Sequence, residues 1–427
     1  IAPKFILGSR MLLLLALDLG YVLLVMGPAG VVYCMNYPVT ALSVAYFIIS
    51  TLLLPLMVQA FSCLVAWVIS LISSKMRNKN IITMVVSLLF LAAYFYLYSK
   101  MGDIISGLIA NGTAIAVAFK KYAFPAYYFG VGIAEHNLTY LLLYTVCTLA
   151  VFELVYAILS RSFRQITTAK KGTARIKYKE RSMHVSSPAA ALLRKDFRHF
   201  IGNPMYVLNA WMGEILLVVA CVAMLIKKDI LTEFLPILNG EGEIMGLILC
   251  VILCGLSCTN LITAPAISLE GKNLWIAQSI PVPAATVLRA KVKLQMLLCI
   301  PITALSALLM GIVLKLELLT LVLTVLVPAA FNLFTALLGV VVNLHFPKFD
   351  YINETVVIKQ SMSTMICMFG SMAVVLVLAL LYALLLSASV APTLFLAVCL
   401  VLLVIVCVLM WRYLGHGGSA RFAALQA

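Results

Sequence analysis

Long apolar runs, separated by short polar breaks, set the pattern of this chain. About 20 predominantly apolar residues in a helix cross a bilayer. Runs of that kind fall near 11–33, 41–72, 81–99, 138–160, 205–226, 244–264, 292–314, 318–344, 360–386 and 394–413. The pattern predicts an all-α, polytopic integral membrane protein with about ten transmembrane helices. The 41–72 run exceeds one crossing and is expected to tilt, or to break near Pro55. A further apolar stretch, Ile104 to Phe119, is interrupted by Gly107 and Gly112 and reads as a re-entrant or an interfacial segment.

Lys and Arg mark the cytoplasmic loops. The clusters Lys75-Arg77-Lys79, 161–203, Lys272 with Arg289, Lys291 and Lys293, Lys348 with Lys359, and Arg412 with Arg421 all fall on one side of the ten-span arrangement. The alternate loops are short or carry acids, such as Asp229, Glu233, Glu241 and Glu243. Lys120 and Lys121 are the exception. Between Arg161 and Arg198 lie eleven Lys/Arg and two acids, a stretch suited to anionic lipid headgroups on the inner leaflet.

Composition agrees with lipid as the main solvent. Of 427 residues, 64% are hydrophobic and 11% charged, against roughly 45–50% and 25% in soluble domains. A soluble enzyme or a nucleic-acid-binding module is excluded, and the net charge of +15 belongs mainly to the basic loops.

Little in the chain nominates catalysis. Gly271-Lys272 is the one Gly-Lys pair, and it lacks the rest of the phosphate-cradling G-x-x-x-x-G-K-[ST] pattern. H-E-x-x-H and G-x-S-x-G are absent too, and Glu135-His136 stands alone. No catalytic residue, metal site or cofactor is expected in the chain, and nothing here nominates an enzyme. Cys250, Cys254 and Cys258 share a helix face and read as packing residues. Asp18, Glu153 and Glu214 fall inside apolar runs, where a charge costs about 2.5–3.5 kcal/mol on insertion scales. Each lines a polar translocation path, couples protons, or is neutralised or paired on a neighbouring helix.

Two polar segments carry helix signals. Ser187-Pro188 supplies an N-cap and a first-turn proline. Leu192, Leu193, Phe197, Phe200 and Ile201 follow at helical spacing, opposite Arg194, Lys195 and Arg198. This predicts an amphipathic elbow helix over 187–201 that turns upward at Gly202-Asn203-Pro204. Pro265 ends the preceding span, and Ser268 is placed to cap a short helix with Glu270 in its first turn. Leu269, Trp275, Ile276 and Ile280 are its apolar positions; Pro281 and Pro283 stop it. It reads either as an interfacial loop anchored by its Trp or as a helix presented to a partner.

An internal repeat is expected as well. Ile6-Leu7-Gly8-Ser9-Arg10 resembles Val287-Leu288-Arg289-Ala290-Lys291, and each is followed by two spans, a polar loop and two more spans. On that reading the two halves are parallel repeats. The chain opens with Ile1, and the first half is expected to lack its opening two spans, twelve being the full complement. The expected domains are a first transmembrane half over 1–160, a basic linker over 161–203, a second half over 204–413 and a cytoplasmic tail over 414–427.

The order of these segments carries a resemblance. Leu269-Glu270-Gly271-Lys272-Asn273-Leu274-Trp275, Ser279-Ile280-Pro281-Val282 and Val287-Leu288-Arg289-Ala290-Lys291 look like the coupling-helix segment of bacterial type-2 ABC exporter permeases. Ser187-Pro188 to Asn203-Pro204 is similar to their elbow helix, and Phe346-Pro347-Lys348-Phe349-Asp350 with Asn353-Glu354 resembles a later cytoplasmic loop. The resemblance implies a permease subunit in the bacterial plasma membrane, driven by a separate cytoplasmic ATPase dimer that holds the ATP and Mg. It implies a coupling helix over 268–291, ATPase docking through Glu270, Lys272, Trp275 and Arg289, and a remnant of a first docking site in Lys4 and Arg10. An ion-coupled secondary transporter using the intramembrane carboxylates is the alternative, and a membrane-embedded enzyme or scaffold a third class.

Overall fold

The computed structural model describes residues 3–36, 40–74, 79–135, 137–168, 186–226, 242–387 and 389–426. Lys75 to Asn78, 169–185 of the basic linker, His136, and the acids Asp229, Glu233 and Glu241 lie outside them. The side chains of Lys4 and Lys79 do so too. The described residues are almost wholly helical, and the chain divides into two compact units, 1–180 and 181–427.

In the first unit, α1 (Pro3–Asn36), α2 (Ala41–Ser74) and α7 (Leu138–Thr168) pack together. Gln59 fastens α2 to α1 by donating its Nε2–H to Met11 O at 2.7 Å. Pro55 lies inside α2, which stays one helix. Between them run α3 (Lys79–Ser99), α4 (Met101–Ala110), α5 (Gly112–Tyr122) and α6 (Phe124–Ala134). The interrupted stretch from Ile104 to Phe119 is therefore two short helices, separated at Asn111, and α6 packs on α7.

The second unit is built around α14. Its elements are α8 (Pro188–Gly202), α9 (Pro204–Ala210), α10 (Met212–Ile226), α11 (Gly242–Ser257), a 3-10 turn at Ser268–Asn273 and α12 (Leu274–Ser279). There follow α13 (Ala284–Val313), α14 (Leu318–His345), α15 (Glu354–Gln360), α16 (Met362–Leu381), α17 (Pro392–Gly415) and α18 (Gly417–Ala424). Helix α14 packs on α11, α13, α16 and α17. Cys250, Cys254 and Cys258 are buried in the apolar cluster between α11, α14 and α17, with Val327, Phe331 and Cys399.

Seven helices among the described residues are long and apolar enough to cross a membrane, or eight if the bent pair Thr83–Ser99 and Met101–Gly107, meeting at 47°, makes one span. This is a helical, multi-pass membrane protein. Among the described residues two of the ten expected crossings are not continuous helices. The 205–226 run breaks at Trp211 (φ −126°, ψ 18°). In an unbroken helix the Glu214 amide would bond to Ala210 O. Here the Leu261 amide takes Ala210 O at 2.8 Å, and the Glu214 amide donates to Asn260 Oδ1 at 3.2 Å. The 244–264 run stops being helical at Ser257, and residues 258–267 continue as a buried coil.

Candidate functional site

Non-helical backbone at membrane depth survives only where protein satisfies its polar groups. Two side chains do that for the coil. Gln295 on α13 accepts from the Thr263 amide at 3.0 Å and donates to Asn260 O at 3.0 Å. Asn343 on α14 accepts from the amides of Ile267 (2.8 Å) and Ser268 (3.0 Å), and donates to Ser268 Oγ at 2.8 Å. The Tyr206 hydroxyl on α9 donates to Ile262 O. Gly339 lies where α14 meets the coil so closely that a Cβ would overlap Thr263 Oγ1 and the Ala264 amide.

Glu214 sits at the upper end of this polar core, 1% exposed. Its Oε1 accepts from Thr303 Oγ1 (2.7 Å) and Asn260 Nδ2 (2.9 Å), while its Oε2 is buried without a hydrogen-bond partner. Asn332 joins the network, donating to Thr303 Oγ1 at 2.9 Å and Ser257 Oγ at 3.0 Å. Asp18 and Glu153 are in the other unit, on α1 and α7; Asp18 is half-buried and Glu153 exposed. Among the described residues no group of three or more His, Cys, Asp or Glu is placed to hold a metal ion.

Below the coil comes the 268–280 segment. Ser268 does not cap a helix as its sequence position predicts; its hydroxyl accepts from Asn343 Nδ2 and from the Lys348 amide at 2.9 Å. Gly271 then adopts φ +53°, a left-handed conformation that favours glycine, and so the expected single helix becomes a 3-10 turn followed by α12. Leu274 and Ala277 face inward with Leu192, Val287, Leu288, Leu344 and Phe422. Gln278 donates to Phe422 O (2.8 Å) and Leu425 O (3.0 Å), which ties α12 to the C-terminal segment. Lys272 and Asn273 are exposed, as are Trp275 (64%) and Ile276 (46%). The apolar face expected from spacing is thus split: Leu269 is inside, whereas Trp275 and Ile276 point away from the protein.

The residues tied by resemblance to docking differ in exposure. Lys272 and Trp275 are outward. Arg289 on α13 is half-buried, with its guanidinium 5.0 Å from the ring of Trp411. Glu270 is turned inward with its side chain 12% exposed. Lys195 Nζ donates to both Glu270 oxygens at 2.7 Å, and Lys291 Nζ to Oε1 at 2.7 Å. Burial by itself would push this carboxyl up; the Lys291 and Lys195 ammoniums outweigh it and hold the group at about 2. Arg10, in the first unit, is exposed on α1.

Sequence reasoning missed Lys195, Lys291, Gln295, Asn260, Asn332 and Asn343 as members of these networks. One signal was available. Thr320, Thr324, Asn332, Thr335, Gly339 and Asn343 recur at steps of three, four or eight along an otherwise apolar run, and so trace one face of α14.

No curated protein and no solved structure matches this chain. A family model described as "Putative ATP-binding cassette" matches residues 104–411, well over half of the sequence. By that match the chain belongs to this ATP-binding cassette family.

Proposed function

We propose that this chain is the membrane-spanning permease subunit of an ATP-binding cassette exporter in the bacterial plasma membrane, driven by a separate cytoplasmic ATPase dimer. One observation carries the reading. Helix α12 has its inner side, Leu274 and Ala277, locked into the bundle, while Lys272, Trp275 and Ile276 stand free on a segment bracketed by basic residues. An exposed Trp on a helix whose other side is packed into the bundle suits an interface anchor. Among the described residues seven helices are long and apolar enough to cross a membrane, and the sequence carries no phosphate-cradling glycine loop. ATP and Mg therefore belong to the partner, and the chain itself is no enzyme.

The two-halved arrangement is part of the proposal. The consecutive helices α1 and α2 in the first unit correspond to α13 and α14 in the second, where residues 314–317 connect the pair. Lys4 and Arg10 would meet the ATPase in the first half as Lys272 and Trp275 do in the second, and the basic linker would rest on anionic headgroups. The substrate would follow a translocation path that draws on Glu214, Asp18 and Glu153.

Co-purification tests the reading. The tagged chain, extracted from its own membranes in mild detergent, should bring down a nucleotide-binding subunit, and Trp275→Ala with Lys272→Glu should lose it. Buried Glu214, whose Oε2 has no partner, favours an ion-coupled transporter as the second reading. Repeated recovery without a nucleotide-binding subunit, together with proton-driven uptake that Glu214→Gln abolishes, would establish that alternative.

A further inference from the structure

Glu270 occupies the turn that presents α12, yet its carboxylate is 12% exposed and already accepts three hydrogen bonds. Oε1 accepts from Lys195 and Lys291, and Oε2 from Lys195. Lys195 comes from α8 and Lys291 from the second turn of α13. Asp196, next to Lys195, completes the group at 3.5 Å from Lys291 Nζ and 3.9 Å from Lys195 Nζ. Two carboxylates and two ammoniums thereby join three elements and leave no net charge. The other end of α8 is held as well. Asn203 Nδ2 donates to Glu354 Oε2, and His199 Nε2 lies 3.5 Å from Glu354 Oε1. The Asn203 side-chain oxygen also caps α9 by accepting from the amides of Met205 and Tyr206.

A residue that meets a partner chain must have hydrogen-bonding capacity to spare when the partner arrives. Glu270 is the wrong shape for that task, whereas Lys272 and Trp275 a few residues on suit it. We propose that Glu270 is a positioning residue: it locks the elbow helix α8 to the segment carrying α12, so that a push on α12 moves α8 and, through Asn203 and Tyr206, the broken α9–α10 span. The continuous contacts run from α12 to Glu270, to Lys195, along α8 to Asn203, and from Tyr206 into the buried coil at Ile262. Coupling of this kind travels through packed elements and polar links that move together.

This inference rests on the ATPase-driven reading above. The test uses the chain with its co-purified ATPase, and compares hydrogen–deuterium exchange in Mg–ATP with orthovanadate against the nucleotide-free complex. Wild type should show a nucleotide-dependent change in peptides from both 268–280 and 188–210. Lys195→Met removes the direct bond between α8 and Glu270 and leaves only the longer 3.5 Å contact of Asp196 with Lys291 to join α8 to the cluster. It should keep the ATPase and the 268–280 response, while the 188–210 response shrinks by at least about twofold, the low end of what cutting one such link does. Lys195→Arg should restore that response, which a merely structural defect would not allow. Glu270→Gln should also retain the ATPase. Loss of the ATPase from Glu270→Gln makes Glu270 a docking contact and overturns the proposal, as does an unaltered 188–210 response in Lys195→Met. Failure of the parent reading looks different, since no ATPase would then accompany the wild-type chain.

Discussion

Asn343 holds four groups at once. It takes the amides of Ile267 and Ser268 on its oxygen, and gives its two N–H groups to Ser268 Oγ and Ser363 Oγ (3.1 Å). No apolar residue of similar size can do this, and the surroundings admit no water-filled alternative, because Asn343, Ser268 and Ser363 are all fully buried. Asn343→Leu should therefore orphan two buried amides, at about 1–3 kcal/mol each. The expected result is a clear fall in melting temperature of the detergent-solubilised chain, followed by tryptophan fluorescence; an unchanged melt would mean the coil is not anchored here. Gly339 answers to a different constraint at the same place, since the coil leaves no room for a Cβ. Both residues serve a stretch of backbone that takes its partners from side chains on neighbouring helices.

At the scale of elements, α8 and α13 owe their mutual position to a charge cluster whose pH behaviour follows from its geometry. The Glu270 carboxyl is held at about 2, against an ordinary 4.5. A carboxyl with a lowered folded value adds stability that is complete above the unfolded value and is lost as pH falls toward the folded one. The window is thus from 4.5 down to about 2. The difference in melting temperature between wild type and Glu270→Gln should be flat from neutral pH down to 4.5 and shrink below it. A difference that varies around neutrality would assign the effect to some other group. Elements were also where sequence was unevenly legible. The elbow helix was plain because its cap is local: Ser187 Oγ accepts from the Ala190 amide at 3.3 Å, and both residues are within one turn. The break at Trp211 was not, because it depends on Leu261 claiming the Ala210 carbonyl from fifty residues away. The burial of Glu270 was hidden for the same reason, its partner Lys195 being 75 residues distant.

For the whole molecule, the membrane character was readable because hydropathy sums over about 20 residues and survives errors at single positions. Orientation follows from the basic loops and makes a direct prediction. Cys34 is exposed in the last turn of α1, and Lys272 is exposed in the turn before α12. A membrane-impermeant maleimide added to intact cells should label Cys34. In a Cys34→Ser background, Lys272→Cys should label only in inside-out vesicles. Labelling of Lys272→Cys from outside would invert the molecule and remove α12 from the reach of any cytoplasmic ATPase.

The buried coil at 258–267 also constrains how the protein can be made. Its backbone leaves the ribosome well before Gln295 and longer still before Asn343, the two side chains that will occupy its amides. Each unmatched polar group would cost several kcal/mol in hydrocarbon, so the nascent α11 and its trailing coil cannot be released into lipid on arrival. They have to wait, sheltered by the insertion machinery or held at the membrane surface, until α13 and α14 have been synthesised. The coil therefore reaches its final place only together with α13 and α14.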